Sequence, residues 1–295
     1  MKLVFLGTGT PMPSPERAGS GVAVVLDDEI LVIDCGPGTT YRFMQAGLPF
    51  RKVAHIFLTH HHFDHNVSYA HLVLEGWLLG RRGPLRVYGP KGTQRMSRLL
   101  FNDIYGREIE SRTDLGGQGP GAASPPPEAA GAARPETGMT LLDMEAEDID
   151  EGFVLSRDNW KMSAVRVDHE CPPYTLGYRL EAAGKAIVFS SDTAPCPRLV
   201  ELSRGADILV HEAFWPQAQG AWKMLLAQAP VSYWAKRWGH TTPEEVGRLA
   251  REAGVKALVL THLMPGEDEA ALASMVRQNY QGELVIAHDL AELAP

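Results

Sequence analysis

Short apolar runs alternate with helix-period stretches along most of the chain. Residues 3–6, 22–26 and 30–33 read as strands, the last two joined by the turn Asp27-Asp28-Glu29. A further strand at 54–59 delivers a histidine-rich stretch at its end. Later strands are expected at 85–88, 160–167, 175–180, 186–189, 208–210, 257–260 and 284–287, with helices at 64–80 and 92–105. Residues 243–253 read as a helix entered through Thr241-Thr242-Pro243-Glu244-Glu245, a cap followed by an N1 proline and first-turn acids. Many strands with interspersed helices predict sheets covered by helices, an α/β layered domain.

Residues 115–137 break this texture. The segment is rich in Gly, Ala and Pro and cannot bury enough apolar surface to fix one conformation, so a mobile loop is expected there. Charge is sorted around it. Residues 81–107 hold seven Lys/Arg against one acid, and residues 108–151 hold eleven acids against two bases. Either run is an ordinary solvated surface, or the basic one forms a phosphate-attracting rim beside an active site.

Composition narrows the function classes. The chain has 295 residues, 44% hydrophobic, with a net charge of −8. That balance argues against an unaided grip on nucleic acid, which needs a surplus of Lys and Arg facing phosphates, although a local basic patch would allow one. Cys35, Cys171 and Cys196 are an odd number without CxxC spacing, which fits buried thiols in a reducing, cytoplasmic compartment. The N-terminal run MKLVFLGTG is too short for a signal h-region, and no stretch approaches the roughly 18 apolar residues of a membrane span.

The candidate chemistry sits in LTHHHFDHN, residues 58–66. His60, His62, Asp64 and His65 form HxHxDH directly after a β-run. Neutral imidazole and carboxylate suit zinc. Residues two apart at a strand end can point the same way, so His60 and His62 can share one metal. Asp64 and His65 follow and can address a second. His61, between two ligands, should face away from them.

With this motif the chain resembles the metallo-β-lactamase superfamily, and within it the ribonuclease Z branch. The resemblance is carried nearly end to end by LGTGTPMPSPER (6–17), IDCGPGT (33–39), IFLTHHHFDH (56–65), VDHECPPYTLGYRL (167–180), FSSDT (189–193), HEAF (211–214), GHTT (239–242) and LVLTHL (258–263). It implies a four-layer αββα sandwich, a single domain over 1–295, with metals where strand-end loops meet. It also implies the missing ligands: His60, His62, His169 and a bridging Asp192 for one metal, and Asp64, His65, Asp192 and His262 for the other. Two zinc ions per chain are expected, with manganese or iron as alternatives. His169, Asp192 and His262 each follow a predicted strand, which agrees with that set. Asp34, in IDCG, is expected to orient a ligand imidazole. His55, His71 and His288 are expected to be structural.

Glu212 and His240, in HEAF and GHTT, resemble the pair that in ribonuclease Z is thought to protonate the leaving oxygen of a phosphodiester. A histidine held by a carboxylate suits that task near neutral pH. The implied mechanism is two-metal hydrolysis, with Asp64 orienting the nucleophile and His240, steadied by Glu212, as the acid. The chain also departs from the branch. Only residues 170–191 separate His169 from Asp192, which leaves no room for the tRNA-gripping arm inserted there. Phe63 replaces the usual Gly, and Pro37 the usual Glu of CGEGT.

The link from Glu212 to His240 is unusually aromatic, with Phe214, Trp215, Trp222, Tyr233, Trp234 and Trp238. It reads either as core or a homodimer contact, or as the wall of an apolar pocket for a small organic substrate. The expected activity is phosphodiesterase-like hydrolysis of a small organic or nucleotide ester. The alternatives are a sulfatase, lactonase or β-lactamase-type hydrolase on the same site, a tRNA 3′-processing endonuclease, and an iron-loaded oxidoreductase. A metal-binding protein without catalysis, such as a sensor, is the least favoured.

Overall fold

A run such as Leu3-Val4-Phe5-Leu6, buried at every position, can form a strand only if both faces of its sheet are covered. The computed structural model describes residues 1–81, 83–114, 138–216 and 220–295, without the side chains of Asp114, Gly220, Ala221 and Trp222, and it has this layered arrangement. The loop expected at 115–137 lies outside the described residues, as does the side chain of Trp222.

Among the described residues two seven-stranded sheets face each other. The first contains β1 (Lys2–Gly7), β2 (Gly21–Val25), β3 (Ile30–Ile33), β4 (Val53–Phe57), β5 (Leu85–Gly89) and β6 (Met144–Asp148). The second contains β7 (Val154–Ser156), β8 (Trp160–Val167), β9 (Thr175–Ala182), β10 (Lys185–Phe189), β11 (Ile208–Glu212), β12 (Ala257–Thr261) and β13 (Glu283–Ile286). A last strand, β14 (Glu292–Leu293), returns to pair with β1. Strands β3 to β6 run parallel, and so do β10 to β13. The C-terminal ends of β3, β4, β10, β11 and β12 carry the loops that hold the candidate residues, the usual location of sites in parallel sheets.

Period-2 alternation sorts side chains between layers. Leu3, Phe5, Leu31, Phe57, Trp160, Tyr178 and Val210 fill the space between the sheets. Val4, Leu6, Ile56 and Leu58 point outward against Tyr69, Leu72 and Phe101. Val188, Leu209, Leu258 and Leu260 pack outward against Leu199, Val246, Leu272 and Val276. Helices therefore cover both outer faces, giving the αββα sandwich of the metallo-β-lactamase fold. Among the described residues no helix is long and apolar enough to cross a membrane.

The structure corrects two expected helices. The helix at 64–80 is two pieces, Phe63–Asn66 and Tyr69–Leu78. Cys35 N donates to His65 O and Ser68 N donates to Cys35 O, so the β3 loop interrupts the helical ladder. The helix at 92–105 stays α-helical over Thr93–Arg98 and widens to a π-turn over Leu99–Ile104. Strand β6 went unpredicted because its pattern, buried Met144 and Ala146 between exposed Glu145 and Glu147, is hidden in an acid-rich run. The basic run divides as well. Arg81 precedes β5, away from the histidine end, and spends its guanidinium on Gly83 O and Leu142 O. Lys91 follows β5 at the histidine end.

Candidate metal centre

Strand ends supply every group of the two ligand clusters and Glu212, while His240 lies in the turn between the helices Val231–Trp238 and Pro243–Ala253. β4 leads into His60 and His62, and the short helix after it carries Asp64 and His65. β8 leads to His169, β10 to Asp192, β11 ends on Glu212, and β12 leads to His262. Asp34, Ser191 and His262 all have positive φ, at 60°, 60° and 54°. Non-glycine residues seldom occupy that region, and here each turns the chain sharply off a strand so that side chains converge.

Two clusters result. His60, His62, His169 and Asp192 form one, and Asp64, His65, Asp192 and His262 the other, with ligand atoms of each group within 4.8 Å of one another. Asp192 is common to both. In the second cluster His262 Nε2 lies 3.2 Å from Asp64 Oδ2 and 3.4 Å from Asp192 Oδ2. His65 Nε2 lies 3.5 Å and 3.4 Å from the same two oxygens. In the first, His169 Nε2 lies 3.2 Å from His62 Nδ1. A tetrahedral ion with bonds near 2.0–2.1 Å has ligand–ligand edges of about 3.3 Å, so the spacing suits zinc-sized cations.

The hydrogen bonding argues the same way. His60 Nε2, His65 Nε2, Asp64 Oδ1 and Asp192 Oδ1 are buried without a hydrogen-bond partner. Such atoms are costly unless something else meets them. The opposite nitrogens are held. His65 Nδ1 donates to Asp34 Oδ2 at 2.7 Å, and His169 Nδ1 donates to Gly239 O at 2.9 Å. Thr59 Oγ1 donates to Asp34 Oδ2 and accepts from His60 Nδ1 at 3.0 Å. These partners fix the tautomers and turn the free nitrogens inward.

Protonation differs between the two clusters. Burial pushes His60, His62 and His169 below the usual histidine range, towards the neutral form that binds metal. Asp192 lies well below the usual carboxylate range: burial opposes ionisation, but the charges of His262 and His65 outweigh it. His65 is held well above its ordinary value, since Asp192 and Asp34 overcome its burial.

Glu212 and His240 stand beside these clusters. His240 Nδ1 donates to Glu212 Oε1 at 2.9 Å, and Glu212 is 1% exposed. The same oxygen accepts from Thr193 N and Thr241 N. Burial lowers the His240 pKa, but the Glu212 charge and hydrogen bond, with Asp192, raise it to about 9. Phe214 stacks on the His240 ring at 5.2 Å and 11°, and the His169 ring lies 5.0 Å away. Glu212, His240 and His262 also form a third group with ligand atoms within 4.8 Å; there Glu212 Oε1 is engaged by two backbone amides and the imidazole, while Oε2 is buried without a hydrogen-bond partner.

The remaining predicted positions separate clearly. His61 turns towards Pro90 O, at 3.4 Å, away from both clusters. His55 is buried against Trp160 and Phe57, His71 pairs with Glu75 on its helix, and the exposed His288 pairs with Glu269. All three cysteines are free and buried. Phe214, Trp238, Trp234 and Tyr233 form a chain of ring contacts leading outward from His240. Sequence reasoning missed Asp289, which accepts from Thr8 N, Thr8 Oγ1, Ala18 N and Arg42 Nε and so ties the 8–18 loop down beside the site. Its partners lie more than 240 residues away in sequence, so no local pattern signals it.

Comparison with known proteins follows the same lines. The family described as "Beta-lactamase superfamily domain" matches residues 127–263, and that described as "Anti-Pycsar protein Apyc1" matches residues 1–76. Ribonuclease Z of Methanosarcina mazei is 29% identical over 99% of this chain and 97% of its own length. Among solved structures, the metallo-β-lactamase fold protein YhfI from Bacillus subtilis superposes with a TM-score of 0.70 at 20% identity, covering 99% of this chain and 98% of YhfI. Human tRNase Z, short form, gives 0.68 at 23% identity, covering 100% and 99%.

Proposed function

We propose, from the premise that this chain has the metallo-β-lactamase fold and resembles ribonuclease Z from end to end, that it is a dinuclear metal-dependent hydrolase of phosphodiesters. His60, His62, His169 and Asp192 would hold one ion, and Asp64, His65, Asp192 and His262 the other, with zinc as the cation this donor set suits. When bound, such a pair of cations supplies Lewis acidity towards phosphoryl oxygens and acidifies water near neutral pH.

The chain's own residues do the rest. Asp64 has a buried Oδ1 free to accept a hydrogen bond, so it can orient the attacking water. The observation that carries the reading is the pairing of buried Glu212 with the partly exposed His240 at the edge of the clusters. With Nδ1 tied to Glu212, His240 presents Nε2 as the proton donor. An alkoxide leaves a phosphodiester poorly unless it is protonated, and His240, held in its imidazolium form, can supply that proton. Glu212 keeps the ring oriented and balances its charge, while Phe214 stacks against its face.

The relatives named ribonuclease Z support a second reading, trimming of tRNA precursors. Against it stands the stretch from His169 to Asp192, which is taken up by a short turn and the β9–β10 hairpin. That economy favours a compact nucleotide ester.

The test is a hydrolysis panel of bis-p-nitrophenyl phosphate, cyclic nucleotides, aryl sulfates, lactones and a tRNA precursor with metal-replete protein. Turnover of the phosphodiesters is expected. Turnover confined to sulfates or lactones would overturn the phosphodiester assignment, and selective cleavage of the tRNA precursor would establish the second reading. Redox-active iron at full occupancy, in protein purified without added metal, would sink the hydrolase reading itself.

A further inference from the structure

Phe63 stands inside the metal motif, between His62 and Asp64, yet it is 56% exposed. It lines a cavity of about 530 Å³ together with Met12 and Tyr41, which are 44% and 63% exposed. Three large apolar side chains thus face solvent around one hollow. Leaving that much apolar surface wet is unfavourable, and contiguous exposure of this kind marks a place where something binds.

The hollow adjoins the metal centre on two sides. Its Phe63 wall is the helical turn that carries Asp64 and His65. Its Thr10 wall lies 3.5 Å from Met264 Sδ, two residues beyond His262. Two arginines also line it, but neither is available to an anion. Arg17 is spent on Thr8 Oγ1, Ala287 O and Glu269, and Arg42 on Asp289, Gln45 and Pro15 O. What remains free is flat and apolar: the Phe63 ring, the Tyr41 ring and the Met12 thioether. The His71 ring meets Tyr41 edge-on at 5.4 Å.

We propose that this hollow is a stacking subsite for the nucleobase of the substrate, with Phe63 and Tyr41 as its specificity-determining rings. The proposal rests on the phosphodiesterase reading above. With a phosphate held at the metal centre, the adjoining hollow is large enough for one nucleoside. A base is the planar, weakly polar group that aromatic side chains recognise without charge. The leaving oxygen would face His240, and the retained nucleoside would face Phe63.

The experiment compares a nucleoside substrate with a minimal one. Binding of thymidine 5′-monophosphate and of methyl phosphate to metal-replete protein is measured by calorimetry. In parallel, turnover of thymidine 5′-(p-nitrophenyl phosphate) is compared with that of methyl p-nitrophenyl phosphate. The wild type should prefer the nucleoside ligand in both assays. Phe63→Ala and Tyr41→Ala should each cut that preference about tenfold or more, and Phe63→Trp should keep it. Metal content is measured throughout; if Phe63→Ala loses metal, Tyr41→Ala, on a separate helix, decides. An unchanged preference in the alanine variants, or none in the wild type, overturns the subsite. So does an altered oligomeric state with unchanged preference, which would make the patch a contact between copies. If the wild type turns over neither ester, the phosphodiesterase reading fails, and the binding preference alone still decides the hollow.

Discussion

Asp34 Oδ2 accepts a 2.7 Å hydrogen bond from His65 Nδ1, which fixes an imidazole of the second cluster. The same carboxylate accepts from Thr59 N and Thr59 Oγ1, and Thr59 in turn holds His60. One buried acid therefore orients an imidazole in each cluster. Asp34→Asn keeps the size but offers an amide where both neighbours need an acceptor. Affinity for the second ion should fall about 10–100-fold, as such orienting partners generally contribute. Chelator competition with the wild type as reference measures it, and unchanged affinity would remove Asp34 from the site's support.

Asp192 is shared by both clusters, whereas His62 serves one. Elemental analysis should find about two metals per chain in the wild type, about one in His62→Ala, and close to none in Asp192→Ala. If both variants keep two, the ligand assignment is wrong.

His240 has its pKa at about 9 because Glu212 outweighs its burial. A general acid works only while protonated, so activity on esters with poor leaving groups should be sustained at neutral pH and fall as pH rises through about 9. Glu212→Gln removes the charge and leaves burial in control, which moves that limb down by more than about one pH unit. His240→Ala should slow alkyl esters by roughly 100-fold or more beyond any effect on nitrophenyl esters, which depart without a proton. Equal slowing of both classes would refute the acid role.

Gly36 packs where no side chain fits. A Cβ there would lie 2.0 Å from Asp64 O and 2.6 Å from Ser20 N, both backbone atoms. Gly36→Ala must push the ligand-bearing turn away from β3. The expected outcome is a loss of about 2 kcal/mol or more of stability together with weakened binding of the second ion. Denaturant melts and metal analysis test both effects.

Glu267 carries a carboxyl pushed up to about 8 by burial, with Oε2 unpartnered and Oε1 accepting from Met264 N. The folded state then binds a proton that the unfolded chain releases near its ordinary value of 4.5. Stability from this group is present below the unfolded pKa and is lost as pH rises through about 8. Glu267→Gln should flatten that decline, gaining up to about 4–5 kcal/mol at pH 8.5 relative to pH 4. Parallel slopes in wild type and variant over that window would refute it.

Much of the fold could be read from periodicity, because buried strands and amphipathic helices write their period into the chain. The elements at 30–33, 160–167 and 243–253 have their predicted bounds. Thr242 and Glu245 supply the capping bonds that the Thr-Thr-Pro-Glu-Glu start implied. Reading failed where tertiary contacts overrode local preference, as when the Cys35 loop broke the helix after Asn66.

HxHxDH is a local pattern that marks a candidate metal motif at a strand end, and the resemblance to ribonuclease Z added His169, Asp192 and His262 as its expected partners. How these residues meet depends on packing between elements far apart in the chain. Asp192 lies between two imidazole sets because β10 is stacked against the sheet that ends in His60. Glu212 reaches His240 because β11 and the turn before residue 243 converge. Asp289 clamps the 8–18 loop from the far end of the chain. Nor could any linear pattern show that Phe63 faces a hollow with Tyr41 and Met12. Each of these depends on distances between residues far apart in sequence, and packing sets those distances.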